Sequence, residues 1–280
     1  MTVTIRKRGR KRVIPGFGIT LGFTLSYLGV IVLVPLAAIV ARSVGMEWGD
    51  FLSIIRSTRT LHALWLSFGA AFVAAVIDAI FGFLIAWVLV RYRFPGRKIV
   101  DALIDLPFAL PTAVAGIALV TIYSPNGPIG QVLAMAGLRV AYSPVGVVIA
   151  MMFIGLPFVV RSVQPVLEQF DHRLEEAAAS LGAGRLFTFR KVIFPVLFPA
   201  LMTGFALALA RGIGEYGSII FIAGNIPNVS EIAPLLIIIR LEEFNYDGAT
   251  VIATTMLVMS FAMLLIVNLL QAWSRKRSGN

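Results

Sequence analysis

Residues 175–195 read EEAAASLGAGRLFTFRKVIFP. This charged, alanine-rich segment lies between two apolar runs, each long enough to cross a bilayer. Its spacing describes a helical hairpin. Asp171 is placed to cap a first helix in which Leu174, Ala177, Ala178 and Leu181 recur at i, i+3, i+4 and i+7, forming one narrow apolar stripe. Gly182 ends that helix, because glycine adopts the left-handed conformation of a helix C-cap without steric penalty. Gly184 loosens the turn before a second amphipathic piece with Leu186, Phe187, Phe189 and Ile193, and Pro195 is expected to stop it. Periodicity alone fits a packed loop, and it also fits a hairpin that docks in a groove on a partner.

Around the hairpin, the composition settles the class of protein. Of 280 residues, 59% are hydrophobic and only 14% are charged, more apolar than a soluble domain can bury. An all-α integral membrane protein is expected, with spans at about 19–41, 61–90, 99–123, 144–163, 196–222 and 248–273. The first of these follows a basic start but is too long, and lacks a small-residue cleavage site, so it reads as a retained span rather than a signal peptide. Most of the 24 basic residues fall in segments on the side of the N-terminus, including Arg6 to Arg12, Arg91 to Lys98, Arg173 to Lys191 and Arg275 to Arg277. By the positive-inside rule both termini are cytoplasmic. The organisation is then a basic N-terminus over 1–18, a six-span domain over 19–273 with its cytoplasmic loop at about 164–195, and a basic tail over 274–280. A net charge of +10 reports topology here; the expected contact is membrane lipid and not nucleic acid.

Within the spans, the third holds Pro107 and Pro111, each removing a backbone donor, so this helix is expected to be kinked or broken. A membrane tolerates that only where protein or a water-filled path covers the freed carbonyls. The fifth has Gly212, Gly214 and Gly217 around a charged pair, Arg211 and Glu215, spaced i, i+4. The pair can be a structural or gating ion pair, or Arg211 can contact a passing anion directly. Asp78 reads as an interhelical hydrogen-bonding group or part of a gate, whereas Asp101 and Asp105 are near enough to the inner end to pair with Arg97, Lys98 or a neighbouring loop. The segment 230–247 has helical spacing and suits a short interfacial or re-entrant helix.

No G-x-x-x-x-G-K-[ST] occurs, cysteine is absent, and the two histidines, His62 and His172, fall on opposite sides of the membrane. The chain is therefore expected to be no enzyme, with no catalytic residues, no metal and no cofactor of its own. Energy must come from a partner or an ion gradient.

Glu176, Ala177 and Ala178, then Gly182, then Val192-Ile193-Phe194-Pro195 resemble the EAA loop of bacterial ATP-binding-cassette importer permeases, with Val192 and Phe194 as apolar departures from its closing I-x-L-P. RYRFPGR at 91–97, DLPFALPTAVAG at 105–116, PFVVRSVQPVLE at 157–168, GEYGSIIFIAGNIP at 214–227 and RLEEFNYDGA at 240–249 are similar to the T-subunit permeases of sulfate/thiosulfate importers. That resemblance implies a six-span type I (MetI-like) importer permease in a bacterial inner membrane, whose coupling helix seats on an ATPase. It also implies a heterodimer with a homologous W permease, two copies of the ATP-binding subunit carrying ATP-Mg, and a periplasmic sulfate- or thiosulfate-binding protein. Glu176, Ala177, Ala178, Gly182 and Pro195 would then be the ATPase-coupling residues. Arg211, Glu215, Pro107, Pro111 and Asp78 are candidates for the gate or substrate path. Rival readings are a permease for another oxyanion such as molybdate, an ion-coupled secondary transporter using the aspartates as proton carriers, and a membrane-embedded enzyme.

Overall fold

The computed structural model describes residues 17–277, with side chains described through residue 272. The basic N-terminus expected at 1–18 therefore lies largely outside the described residues, as do the side chains of the tail. The chain divides into two units, one ending at Glu47 and one beginning at Trp48. In the first, α1 (Phe17–Leu28), a π-helical turn at Gly29–Leu33 and α2 (Val34–Val44) form one apolar run of 28 residues.

The second unit is entirely helical among the described residues. It opens with α3 (Trp48–Arg56) and α4 (Thr58–Arg91), the latter capped by Ser57, whose side chain accepts from the Thr60 amide. Next come α5 (Arg97–Ile104), α6 (Leu106–Ala109), α7 (Thr112–Tyr123), α8 (Pro128–Met135) and α9 (Pro144–Glu168). The hairpin contributes α10 (Arg173–Ser180) and α11 (Arg185–Thr188), and a second π turn at Phe189–Ile193 leads into α12 (Phe194–Ile213). The unit closes with α13 (Ile219–Ala223), α14 (Ala233–Glu242) and α15 (Tyr246–Arg277).

Helices α4, α9 and α12 form the core, and small residues bring their axes together. A Cβ on Gly82 would lie 2.8 Å from the Cβ of Val159, and one on Gly204 would lie 2.7 Å from the Val159 Cα. In a bilayer, where lipid is as apolar as leucine, such close backbone approach is what drives helix association. Ala71, Ala74, Ala75, Ala150 and Ala208 fill the same seams and are buried.

Five helical runs among the described residues, not the expected six, are long and apolar enough to cross a membrane. The missing one is the third. Its prolines divide it: Pro107 sits in the first turn of α6, and Leu110 and Pro111 are extended, so that only α7, 12 residues long, remains as a continuous apolar helix. The fifth also differs from the expected 196–222. It stops at Ile213, turns through residues 214–218 and resumes as the short α13. The segment expected to be short and re-entrant is α14, which has Pro234 in its first turn and Leu235 and Leu236 buried.

Candidate functional site

The two interrupted elements meet. A Cβ on Gly217, in the turn after α12, would fall 2.1 Å from Thr112 Oγ1 at the start of α7. A Cβ on Gly116 would fall 2.4 Å from the Ser218 carbonyl oxygen. Irregular backbone at membrane depth is tolerated only when protein covers it; here each break covers the other.

Arg211 and Glu215 lie at this junction and are ion-paired, with Glu215 1% exposed. The second carboxylate oxygen of Glu215 accepts from the Ser218 amide at 3.0 Å and from its hydroxyl at 3.1 Å. Glu215 therefore closes the turn by a local side-chain bridge, and Arg211 neutralises its charge. The Arg211 side chain is 34% exposed, so its guanidinium is reachable although paired. On the neighbouring core helices the junction abuts Ala71 and Met151, which face Gly212.

Other expected residues lie elsewhere. Pro111 caps α7 at the junction, whereas Pro107 lies in α6, just after Asp105. Asp78 lies seven residues after Ala71 on α4, about two turns or ~10 Å along the helix. It is buried against Gly155, and its Oδ2 has no hydrogen-bond partner.

Asp101 and Asp105 do not pair with Arg97 or Lys98. Their partner is Arg161, inside α9: its Nε and Nη2 fork onto Asp105 at 2.8 and 2.6 Å, and its Nη1 donates to Asp101 at 2.7 Å. Arg161 also donates to Gln164 at 2.6 Å and to the Asp101 carbonyl at 2.9 Å. A planar guanidinium satisfies two carboxylates at once, which a flexible lysine cannot match. On the other side of the core, Arg59 forks onto the buried Glu231 at 2.8 and 2.6 Å, and Ser67 accepts from the Ala233 amide at 2.8 Å, tying the start of α14 to α4. Neither arginine stood out in the sequence, because their partners are 56 to 172 positions away.

The hairpin folds nearly as its spacing predicts. Gly182 has φ +80° after α10, and the Ala183 amide returns to the Ala178 carbonyl at 3.0 Å, a closed left-handed cap. Asp171, expected to cap α10, lies one residue before its N-cap His172, where its Oδ1 accepts from the Arg173 amide at 3.0 Å. Pro195 does not stop the second piece. It occupies the first turn of α12, where a missing donor costs nothing. The π turn carries the chain into that helix, with the Phe194 amide reaching back to the Phe189 carbonyl. Glu176, Ala177, Ala178 and Gly182 share the hairpin and are remote in sequence from the junction, while Pro195 starts the helix that ends there. Leu181 is 88% exposed, and Leu186 and Phe187 stay largely uncovered.

Residues 78–279 match the family described as binding-protein-dependent transport system inner membrane component. The sulfate transport system permease protein CysT of Salmonella typhimurium is 47% identical over 262 residues, covering 94% of this chain and 95% of that protein. Its namesake in Escherichia coli is 46% identical, with the same coverage. Among solved structures, a bacterial alginate ABC transporter in complex with an alginate pentasaccharide-bound periplasmic protein superposes with a TM-score of 0.74 at 19% identity, over 94% of this chain and 95% of that one. The MetNI methionine ABC transporter gives 0.55 at 17% identity, over 84% and 100%. Identities this low speak to the fold, which is that of the importer permeases.

Proposed function

The chain belongs to the binding-protein-dependent transport family of inner membrane components, and from that membership we infer that it is a permease subunit of an ATP-driven sulfate/thiosulfate importer. The observation that carries the substrate class is the 47% identity over 94% of the chain to a sulfate permease. The chain is not itself an ATPase; hydrolysis of ATP-Mg belongs to a partner subunit.

The partners are a homologous W permease, two ATP-binding subunits and a periplasmic binding protein. The membrane is crossed six times, the broken α5–α7 serving as the third traverse and both termini facing the cytoplasm. This topology is supported by the cluster of basic residues at 91–98 and 173–191 and by the five long helices. Single cysteines at Gly127 and Asn228 should label from the periplasm with an impermeant thiol reagent, and one at Ser180 should not.

Coupling runs through the hairpin. Leu181, Leu186 and Phe187 present apolar surface at an aqueous face, the pattern of a helix that seats in a partner's groove. Ala177 and Ala178 supply the smooth stripe of that helix, Glu176 belongs to its acidic first turn, Gly182 supplies its cap, and Pro195 begins the span that receives the motion. At the other end, the Arg211–Glu215 pair with Pro111 makes the gate. Two discontinuous helices meeting in the membrane give backbone that can rearrange without unpaired groups reaching lipid. Because Glu215 neutralises Arg211, the guanidinium offers a passing dianion a weak contact and no trap.

Reconstitution of the chain with its permease partner, ATPase and binding protein tests the whole reading. Sulfate uptake should survive collapse of the proton gradient and stop on ATP depletion. The reverse dependence would favour an ion-coupled transporter, and uptake of molybdate in place of sulfate would move the substrate to another oxyanion.

A further inference from the structure

Arg91, the last residue of α4, is used by neither the junction nor the exposed stripe of the hairpin, yet its side chain makes an ion pair, a polar contact and two ring contacts. Its Nη2 donates to Glu175 Oε1 at 2.5 Å, and its Nη1 lies 3.1 Å from His172 Nδ1. An arginine can only donate, so in this contact the His172 nitrogen is the acceptor. The guanidinium also sits over Trp87 and Phe170, at 5.0 and 5.8 Å from the ring centroids. Glu175, His172 and Phe170 all belong to the entry limb of the hairpin. Trp87 in turn meets Phe189 edge-on at 5.5 Å, in the π turn of the exit limb. Two neighbouring side chains at the end of α4 thus reach the two limbs, Arg91 the entry limb and Trp87 the exit limb. Beneath it lies a small core of its own, with Leu167, Phe170, Ile193 and Leu197 buried and Phe83, Trp87 and Val90 packed against it.

Helix α10 otherwise packs on α11 and the π turn of its own hairpin. The Arg91 contact ties it directly to α4. From Arg91 back to Ala71, where α4 touches Gly212 beside the gate pair, is 20 residues of unbroken helix, about 30 Å.

We propose that Arg91 is a positioning residue that locks the entry limb of the coupling hairpin to α4, so that displacement of the hairpin is delivered along α4 to the Arg211–Glu215 junction. The proposal rests on the reading of the hairpin as the ATPase contact.

The test uses the assembled importer in proteoliposomes, with ATP hydrolysis and sulfate uptake both measured per assembled complex. Arg91→Gln and Glu175→Gln should each lower uptake per ATP hydrolysed about tenfold while hydrolysis persists, within the range by which coupling residues act. The double variant should fall no further than Arg91→Gln alone, because Glu175→Gln removes a contact that Arg91→Gln has already removed. Glu175→Gln reads that contact from the other side should Arg91→Gln assemble poorly. An unchanged ratio, with uptake and hydrolysis intact or falling together, would overturn the proposal; so would additive losses in the double, or failure of both singles to assemble. Gly182→Val run in parallel separates the two readings. If it uncouples while the Arg91 and Glu175 variants keep their ratio, the lock is wrong and the hairpin reading stands; if it has normal uptake and ATPase association, both fall.

Discussion

The junction at Arg211 and the hairpin at Gly182 are built on opposite principles. At the junction, polar groups are buried and satisfied within the chain: Glu215 is 1% exposed and is bonded to Ser218 and Arg211. At the hairpin, apolar groups are left uncovered: Leu181 is 88% exposed, and Leu186 and Phe187 remain open. A region that satisfies itself can move as a unit and return. A region that leaves apolar surface in water is completed by another molecule. On the proposed reading, the gate lies inside this subunit and the power stroke comes from outside it.

Glycine substitutions give the largest expected effect and sharpen the contrast. A Cβ on Gly116 would lie 2.4 Å from backbone of the other broken span, which cannot yield as a flexible side chain can. Gly116→Val should therefore abolish detergent-stable assembly, at a cost of about 4 kcal/mol or more. At Gly182 nothing lies within 4 Å of a Cβ, and only the φ of +80° resists substitution. Gly182→Val should cost the chain about 1–2 kcal/mol, leave it inserted, and lower transport and ATPase association. Equal losses of permease assembly in the two variants, by size-exclusion yield, would erase the distinction.

The ion pair comes next. Arg211→Ala leaves a carboxylate buried and uncompensated, expected to cost about 3 kcal/mol. Glu215→Ala leaves an arginine whose side chain is already one-third exposed, so its electrostatic cost is smaller. The double variant should assemble better than Arg211→Ala alone. Normal assembly in both singles, with uptake lost only when Arg211 is absent, would turn the pair into a substrate-binding arginine and break the account of a self-satisfied junction.

Asp78 has the smallest expected effect. Its Oδ2 has no partner, so Asp78→Asn removes no observed hydrogen bond at that atom and should change stability by less than about 1 kcal/mol. Complex yield and uptake near those of the unsubstituted chain are expected. Loss of uptake with assembly intact would make Asp78 part of the working path.

The hairpin was legible in the sequence because it is local. A cap at Gly182, a stripe at i, i+3, i+4 and i+7, and an acidic start all lie within about 20 residues, the range over which propensity and spacing act. Even there Pro195 misled, since proline halts a helix from within but is welcome in a first turn, and a π turn made that position a first turn. The breaks in the third span were foreshadowed by Pro107 and Pro111, and the i, i+4 spacing of Arg211 and Glu215 anticipated their pair. Ser218 as the second partner of Glu215 was not, nor the meeting of Gly116 and Gly217 with the opposing break. Arg161 was least visible of all. It is a single basic residue near the end of the span expected at 144–163, and its role follows only from packing of α9 against α5 and α6.

The central claim is that the uncovered hairpin, and no ion gradient, drives the self-contained junction. Its most direct test is ATP-driven sulfate uptake by the reconstituted importer carrying Leu181→Asp, a change at a side chain 88% exposed. A charge placed at the centre of an apolar contact of this kind typically weakens binding by about 2 kcal/mol or more. The account predicts uptake reduced by more than tenfold, with this chain and its permease partner still assembled and the ATPase subunit lost from the complex. Uptake at the level of the unsubstituted importer, with the ATPase retained, would contradict it.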